Sequence, residues 1–456
     1  MQNNENILGT TPINALLIKM SLPIMISMLM QACYNIVDSI FISRLSENAL
    51  SAISLSYPLQ FTMIAVGIGT GVGISANLSK NLGEKRMNSV NDYANHSIFL
   101  SIICSIVFIF IGIFFVKPFF TFQTENIEII NYGVSYCQIC LIGSLGLFIQ
   151  VIGERLLQST GLSIFSMYTQ LIGAIINIIL DPIFIFGLFG MPKMGTAGAA
   201  LATIIGQFCA AIIALYFNFT KNTTLQFSFK NFKPQRSIIM HTYMIGLPSI
   251  VMQSIGSIMI FGMNKILLNF STTATAVLGV YYKVQSFIFM PVFGLNSGLI
   301  PIVSFNFGAR NKKRIIDGLK FGMLYASIIM IIGTILFNMF PKQILNIFNA
   351  SNYMIEIGVP ALRIISLHYI FAGINIILIG AFQSLGKATN SLIISIVRQL
   401  VFLLPIAYIL SKLFGLNAIW FSFLISECLA LIITILFFID TNKKIIIPLQ
   451  TTKNEK

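Results

Sequence analysis

YPLQFTMIAVGIGTGVGISANLSKNLG, residues 57–83, and YKVQSFIFMPVFGLNSGLIPIVSFNFG, residues 282–308, read as one segment written twice at an offset of 225. Tyr57 falls on Tyr282, Gln60 on Gln285, Gly69 and Gly73 on Gly294 and Gly298, and Asn81 and Gly83 on Asn306 and Gly308. The offset holds outward in both directions. Leu22-Pro23 meets Leu247-Pro248, Gly133 meets Gly358, and Gln158-Ser159 and Gly161 meet Gln383-Ser384 and Gly386. One constant displacement over pairs so widely spread marks a duplication and not chance matches. In a membrane chain, duplication of this kind is how many secondary transporters are built, with the substrate path between the halves.

Composition places the chain in a bilayer. Of its 456 residues 56% are hydrophobic and 9% charged, where a soluble domain carries about 25% charged residues, and the mean hydropathy is +0.87. A spanning helix needs about 20 mostly apolar residues. The sequence offers about twelve such stretches, near 14–41, 49–77, 94–117, 131–152, 161–187 and 195–217, then 237–268, 274–302, 319–340, 354–379, 388–411 and 417–439. Their length and lack of strict alternation predict helices and not barrel strands. The expected fold is an all-α integral membrane protein of two pseudo-symmetric six-helix lobes. A tail at 1–13 precedes an N-lobe at 14–217, and a polar, basic linker at 218–236 leads to a C-lobe at 237–439 and a tail at 440–456.

The net charge of +14 is topological and not a nucleic-acid signature. Assigning loops alternately to the two sides puts 18 of the 28 Lys and Arg on one side and 5 on the other. By the positive-inside rule the rich side is cytoplasmic, so both termini lie inside a cell membrane crossed many times. The polar first dozen residues show no cleavable signal. All six cysteines fall in apolar stretches and read as small buried hydrophobes. Cys137 and Cys140 form a lone CxxC without nearby His, which is a poor metal motif.

Charges inside the spans are informative, because an Asp at the bilayer centre costs about 2.5 to 3.5 kcal/mol even on lenient scales. The first half has two, Asp38 in QACYNIVDSIFIS and Asp181 in IINIILDPIFIFG. Tyr34 precedes Asp38 by four residues and Asn177 precedes Asp181 by four, so each carboxyl shares a helix face with an uncharged oxygen group. Two carboxylates close together in low dielectric cannot both stay ionised without a cation. One therefore holds a proton until a cation replaces it, and Asp38, Asn177 and Asp181 together offer oxygen ligands for Na⁺. The alternative is that Asp38 caps a helix end near the outer interface.

At the 225 offset Asp38 falls on Met263 and Asp181 on Ile406, so the acid pair belongs to the first half. The second half places Arg363, His368, Arg398 and Glu427 in its spans; an Arg398–Glu427 ion pair between the last two helices is expected, with His368 a packed, hydrogen-bonded residue. Pro23 and Pro182 each remove a helix hydrogen bond and mark hinges that protonation of the acids can drive. GKAT at 386–389 lacks the spacing and the Ser or Thr of a phosphate loop, and GIGTGVG at 67–73 lies inside a span, where close helix packing explains it. With no nucleophile, base and orienting trio, an enzyme is not expected.

SLP in the first span, YNIVDSIFIS, ERLLQSTG, INIILDPIFIFG and AFQSLGKAT together resemble the multidrug and toxic compound extrusion (MATE) transporters, in particular the bacterial DinF-like and MepA-like branch, over nearly the whole chain. The resemblance implies twelve helices around a central cavity and export of amphipathic, often cationic small molecules in exchange for H⁺ or Na⁺, without a cofactor or nucleic-acid partner and as a monomer. It carries a cation-site role to Tyr34, Asp38, Asn177 and Asp181 and a hinge role to Pro23. The hydroxyl expected from the sixth helix falls on Thr196 or Thr203. The seventh helix lacks the acid expected of the NorM-like branch and has Lys265 as its only charge, which argues against a second-half Na⁺ site. Met259, Phe287, Met290 and Phe293 suit a cavity wall for varied apolar cargo. The competing reading is a flippase for lipid-linked sugars of the same superfamily, which predicts extra terminal helices and a strongly cationic cavity.

Overall fold

The computed structural model describes residues 6–230, 232–348 and 350–450; the outer ends of the two expected tails, 1–5 and 451–456, lie outside the described residues. Every regular element among the described residues is helical. The first copy of the repeat runs through α1 (Ile13–Ser43), α2 (Glu47–Gly83), α3 (Met87–Phe114), α4 (Ile127–Ile142), α5 (Ser144–Ser159), α6 (Ser163–Phe186) and α7 (Thr196–Thr220). The second runs through α8 (Arg236–Leu268), α9 (Thr272–Gly308), α10 (Lys312–Met339), α11 (Asn352–Ser366), α12 (Tyr369–Ser384), α13 (Ala388–Phe414) and α14 (Phe421–Thr441). Among the described residues ten helices are long and apolar enough to cross a bilayer alone. The pairs α4 with α5 and α11 with α12 meet at bends of 49° and 46°, which brings the number to 12 if each pair is one span. The chain is an all-α, multi-pass membrane protein.

The duplication extends to the finest backbone detail. α2 and α9 begin and end 225 residues apart, as do α3 and α10. Ser46 and Ser271 cap α2 and α9 in extended conformation, each accepting a backbone N–H three residues on at 3.0 Å. This satisfies one of the donors that a helix start leaves unpaired. Lys85 and Arg310, just past the ends of these helices, both take a left-handed conformation, with φ of 60° and 55°. Ser79 donates to the Ser159 carbonyl at 3.0 Å, and its counterpart Ser304 donates to the Ser384 carbonyl at 3.2 Å.

Two compact units form among the described residues, 6–8 with 26–250, and 9–25 with 251–450. The division therefore passes through α1 and α8, two residues after Pro23 and two after its counterpart Pro248. The linker itself is bound to α3. Asn91 and Asn95 accept the backbone N–H groups of Gln226 and Ser228 at 2.9 and 3.2 Å, and His96 Nε2 accepts that of Gln235 at 2.8 Å. With Nε2 accepting, His96 carries its proton on Nδ1 and donates to the Asp92 carbonyl at 2.7 Å.

Helix burial follows membrane logic. On α3, Ile102, Ile106, Phe110 and Ile113 are exposed, while Ala94, Ser97, Ser101, Ser105 and Gly112 are buried. Large apolar side chains face outward, where lipid solvates them. Small and hydroxyl residues face inward, where they let helices approach and find partners, as Ser105 does with Ser144 at 3.3 Å. The expectation of a span ending at 152 is corrected at its C-terminal end. α5 continues to Ser159, and Glu154 and Arg155, assigned to a cytoplasmic loop, are buried at 9% and 8% exposure. The bend places them there. At Gly143 a Cβ would lie 2.3 Å from Ile204 Cδ1, so glycine lets the chain turn tightly against α7 before α5 begins.

Candidate functional site

The geometry of the first unit's acids starts from glycines on α6 and α7. A Cβ at Gly206 would lie 2.7 Å from the Gly173 carbonyl oxygen, and one at Gly198 would lie 2.5 Å from the Phe184 carbonyl oxygen. The two backbones are thus in direct contact at two levels, which sets their axial register. One turn beyond Gly173 comes Asn177, and one turn before Gly206 comes Thr203. Asn177 Nδ2 donates to Asp181 Oδ1 and to Thr203 Oγ1, both at 3.3 Å, while the Thr203 hydroxyl donates to the Ala199 carbonyl at 3.0 Å. Asn177 is 4% exposed and Asp181 fully buried.

α1 brings Asp38 to the same place. Ile42, one turn after Asp38, and Ile185, one turn after Asp181, share a core cluster with Tyr136 of α4 and Ala199 of α7. Asp181 lies within electrostatic reach of Asp38, Tyr34 within reach of both, and Tyr136 within reach of Asp38. Gln170 of α6 donates to Gln31 of α1 at 3.2 Å, a further tie between the helices that carry the two acids.

The hydrogen-bond balance at this cluster is one-sided. Asp38 Oδ1, Asn177 Oδ1 and Asp181 Oδ2 are buried acceptors with no hydrogen-bond partner among the described residues. Leaving buried acceptors unsatisfied costs about 1–3 kcal/mol each. A proton or a hard cation would relieve that cost, and an anion would not.

The structure thus brings Tyr34, Asp38, Asn177 and Asp181 together. Of the two sixth-helix threonines it places Thr203 beside Asn177, while Thr196, two turns earlier on the same face, donates to the Tyr132 carbonyl at 3.2 Å. Sequence reasoning missed Tyr136, which stands in an apolar run like any core aromatic. It also missed Glu154, which lies within reach of Tyr34 and accepts from Gln150 at 3.0 Å; its burial was hidden by the misplaced span end. Pro23 and Pro182 lie inside the continuous helices α1 and α6. Cys137 and Cys140 are free and buried in two separate core clusters.

In the second unit, Met259 accepts a hydrogen bond from the Tyr282 hydroxyl at 3.1 Å and lines a cavity. Phe287 and Phe293 are instead exposed, Met290 is half-buried, and the aromatic residues on that cavity's wall are Tyr281, Tyr282, Phe289 and Phe423. Arg363 donates to the Asn338 carbonyl near the end of α10 at 3.3 Å. His368 packs against Phe289, Tyr369 and Phe423 with Nδ1 2.6 Å from the Ile365 carbonyl, and Arg398 pairs with Glu427 at 3.1 Å.

Comparison with known proteins gives consistent matches. A family model described as MatE matches twice, over residues 23–183 and 248–409, with starts displaced by the same 225 residues seen in the sequence. The multidrug export protein MepA of Staphylococcus haemolyticus is 26% identical over 408 residues, 89% of each chain. A probable multidrug resistance protein NorM of Thermotoga maritima is 26% identical over 426 residues, 93% of this chain and 92% of that one. Among solved structures, an outward-facing multidrug resistance MATE transporter of the MOP superfamily superposes with a TM-score of 0.91 at 25% identity, covering 98% of both chains. A MOP superfamily transporter from Pyrococcus furiosus, described as having a binding pocket of reversed polarity that suggests a different function, superposes with a TM-score of 0.90 at 25% identity, over 96% of this chain and 98% of that one.

Proposed function

The chain belongs to the MatE family, and on that premise we propose that it is a secondary active exporter of amphipathic small molecules, driven by inward flow of H⁺ or Na⁺ through the first-unit acid cluster. The observation that carries the reading is the set of three buried, unpartnered acceptor oxygens on Asp38, Asn177 and Asp181. An ionised pair of carboxyls in low dielectric is unstable alone, so the site takes up a proton or Na⁺ and releases it when the surroundings change. Tyr34 and Thr203 complete its oxygen lining.

Coupling needs the cation to favour one conformation over another, since a ligand shifts an equilibrium only by its differential affinity for the two states. Pro23 and Pro182 supply the bending points in the helices that bear Asp38 and Asp181. Occupied and empty sites thus favour different curvature of α1 and α6. The six-helix lobes at 14–217 and 237–439 and cytoplasmic placement of both termini complete the proposal, supported by the excess of Lys and Arg in alternate loops.

The test is efflux of a fluorescent lipophilic cation from proteoliposomes, with a pH gradient and a Na⁺ gradient imposed separately, comparing wild type with Asp38→Asn and Asp181→Asn. Efflux that follows one gradient and is lost in both variants, with expression retained, is the expected outcome. Full activity in both variants would remove the site. Absence of movement under either gradient in folded protein would count against cation export and favour the lipid-linked-sugar flippase.

A further inference from the structure

The loop from α6 to α7 and the loop from α13 to α14 carry the same three residues, Leu188-Phe189-Gly190 and Leu413-Phe414-Gly415, again 225 apart. We propose that the two loops are lipid anchors. Their Leu and Phe side chains enter the outer leaflet past the ends of the spanning helices, at the boundary between phospholipid headgroups and acyl chains. The proposal is independent of cargo and of coupling ion.

The backbone of the first loop is built to hold an aromatic ring outward. Gly187 and Gly190 have φ of 75° and 81°, and Phe189 between them has φ of 56°. A left-handed conformation is unfavourable for a residue with a Cβ, most of all for a bulky one. The loop is also closed on itself. Met194 and Gly195 donate their backbone N–H groups to the carbonyls of Phe184 and Ile185 at 3.0 and 3.2 Å, and Met191 donates to that of Leu188 at 3.2 Å. A Cβ at Gly187 would stand 2.9 Å from the Lys193 nitrogen and from the Met191 oxygen, so only glycine fits under the returning chain. This closed frame leaves Phe189 90% exposed, with Leu188 and Met191 exposed beside it. A chain that only had to turn would put glycine or asparagine at the left-handed position and keep its apolar side chains covered.

The second loop reaches the same result by a different backbone route. Phe414 is the last residue of α13, and the positive φ of 78° falls on Gly415. Leu413 and Phe414 are both exposed, Phe414 at 71%. At Gly190 and Gly415 an added Cβ would meet nothing within 4 Å, so these glycines set the direction of the chain and make no packing contact. Lys412 Nζ lies 5.8 Å from the ring centroid of the exposed Tyr408. A long basic side chain beside an exposed tyrosine suits a membrane interface, with its stem among apolar groups and its ammonium toward water.

Continuity names the occupant. Ile172, Ile175 and Ile179 form an exposed stripe along α6, and Val401, Tyr408 and Ile409 are exposed along α13. Both helices are long and apolar enough to span the bilayer, so lipid covers these side chains, and each stripe runs on into its loop. Both loops belong to the side that carries 5 of the 28 Lys and Arg, the outer side by the positive-inside rule. The first anchor follows Asp181 by eight residues and holds the outer end of α6 in the leaflet.

Tryptophan fluorescence reads the anchors directly, because the chain has a single tryptophan, Trp420, which is fully buried and supplies the baseline. Phe189→Trp and Phe414→Trp are each made in the full chain and placed in phosphatidylcholine nanodiscs. Three quenchers are applied separately: lipid brominated near the top of its acyl chains, lipid brominated near their ends, and aqueous iodide. With the wild-type signal subtracted, each new tryptophan is expected to be quenched about twofold more by the shallow bromines than by the deep ones, as befits a ring at the headgroup boundary. Each is also expected to be shielded from iodide relative to N-acetyltryptophanamide in water. Should Phe189→Trp fail to fold at its left-handed position, Met191→Trp, at φ −76° in the same loop, takes its place. Full iodide quenching without bromine quenching means that water covers the loop, and overturns the proposal for that loop. Shielding from iodide and from both brominated lipids means that protein covers the ring, and overturns it equally.

Discussion

Replacing Gly206 with alanine tests whether backbone contact between α6 and α7 is what assembles the acid cluster. The new Cβ would sit 2.7 Å from the Gly173 carbonyl oxygen and 3.3 Å from Asn177 Cβ, where ordinary contact begins at 3.4 Å. The oxygen is backbone and cannot rotate away, so α6 must move by several tenths of an ångström. Overpacking of this kind costs about 1–3 kcal/mol, offset by the roughly 0.5–1 kcal/mol that alanine gains over glycine inside a helix. A net loss of about 0 to 2.5 kcal/mol remains, centred a little above 1 kcal/mol. The same displacement acts on the Asn177–Thr203 contact, already 3.3 Å long, and carries it past hydrogen-bonding range. The apparent melting temperature in detergent at a fixed scan rate should fall, and coupled efflux should fall with it. If Gly206→Ala melts at or above wild type and its efflux keeps the same gradient dependence, backbone contact at this level does not set the site.

Gly279→Ala is the matched control: nothing lies within 4 Å of the added Cβ and the residue is inside α9, so stability should rise by about 0.5–1 kcal/mol in the same melting assay. Thr203→Val removes the acceptor of the Asn177 amide and is expected to weaken coupled efflux, whereas Thr196→Val loses its bond to the Tyr132 carbonyl, about 1 kcal/mol of stability, and keeps the coupling. The reverse pattern in proteoliposomes would move the hydroxyl role to Thr196. Ser46→Ala and Ser271→Ala each delete the same N-cap bond in their copy of the repeat, and each should cost about 0.5–2 kcal/mol by melting. A large difference between them would mean that one cap is held by tertiary contacts and not by its own hydrogen bond.

The pairing of Asn177 with Asp181 is legible in the residues themselves, because a four-residue spacing puts two side chains on one helix face whatever surrounds them. Its tertiary extension is not. Thr196 and Thr203 lie seven residues apart, two turns of one helix, and so share a face; which of them meets Asn177 depends on how far α7 slides along α6. Gly173 and Gly206 decide that register. Glu154 and Arg155 escape a linear reading for a related reason. A charged dipeptide after an apolar run looks like the end of a span, and only the bend at Gly143 and the packing around α5 show it enclosed.

The sequence by itself determined the duplication, the membrane setting, the helical spans and the two first-half acids with their helix-face partners. Each of these depends on local composition, periodicity or a constant offset, properties that chain neighbours carry with them. The tertiary structure alone decided the convergence of α1, α4, α6 and α7 around the acids, the choice of Thr203, the enclosure of Glu154 and the single-contact pairing of Arg398 with Glu427 beside a cavity. Those depend on helix register and close approach, where a shift of one turn, about 5.4 Å, exchanges one neighbour for another without altering any local pattern.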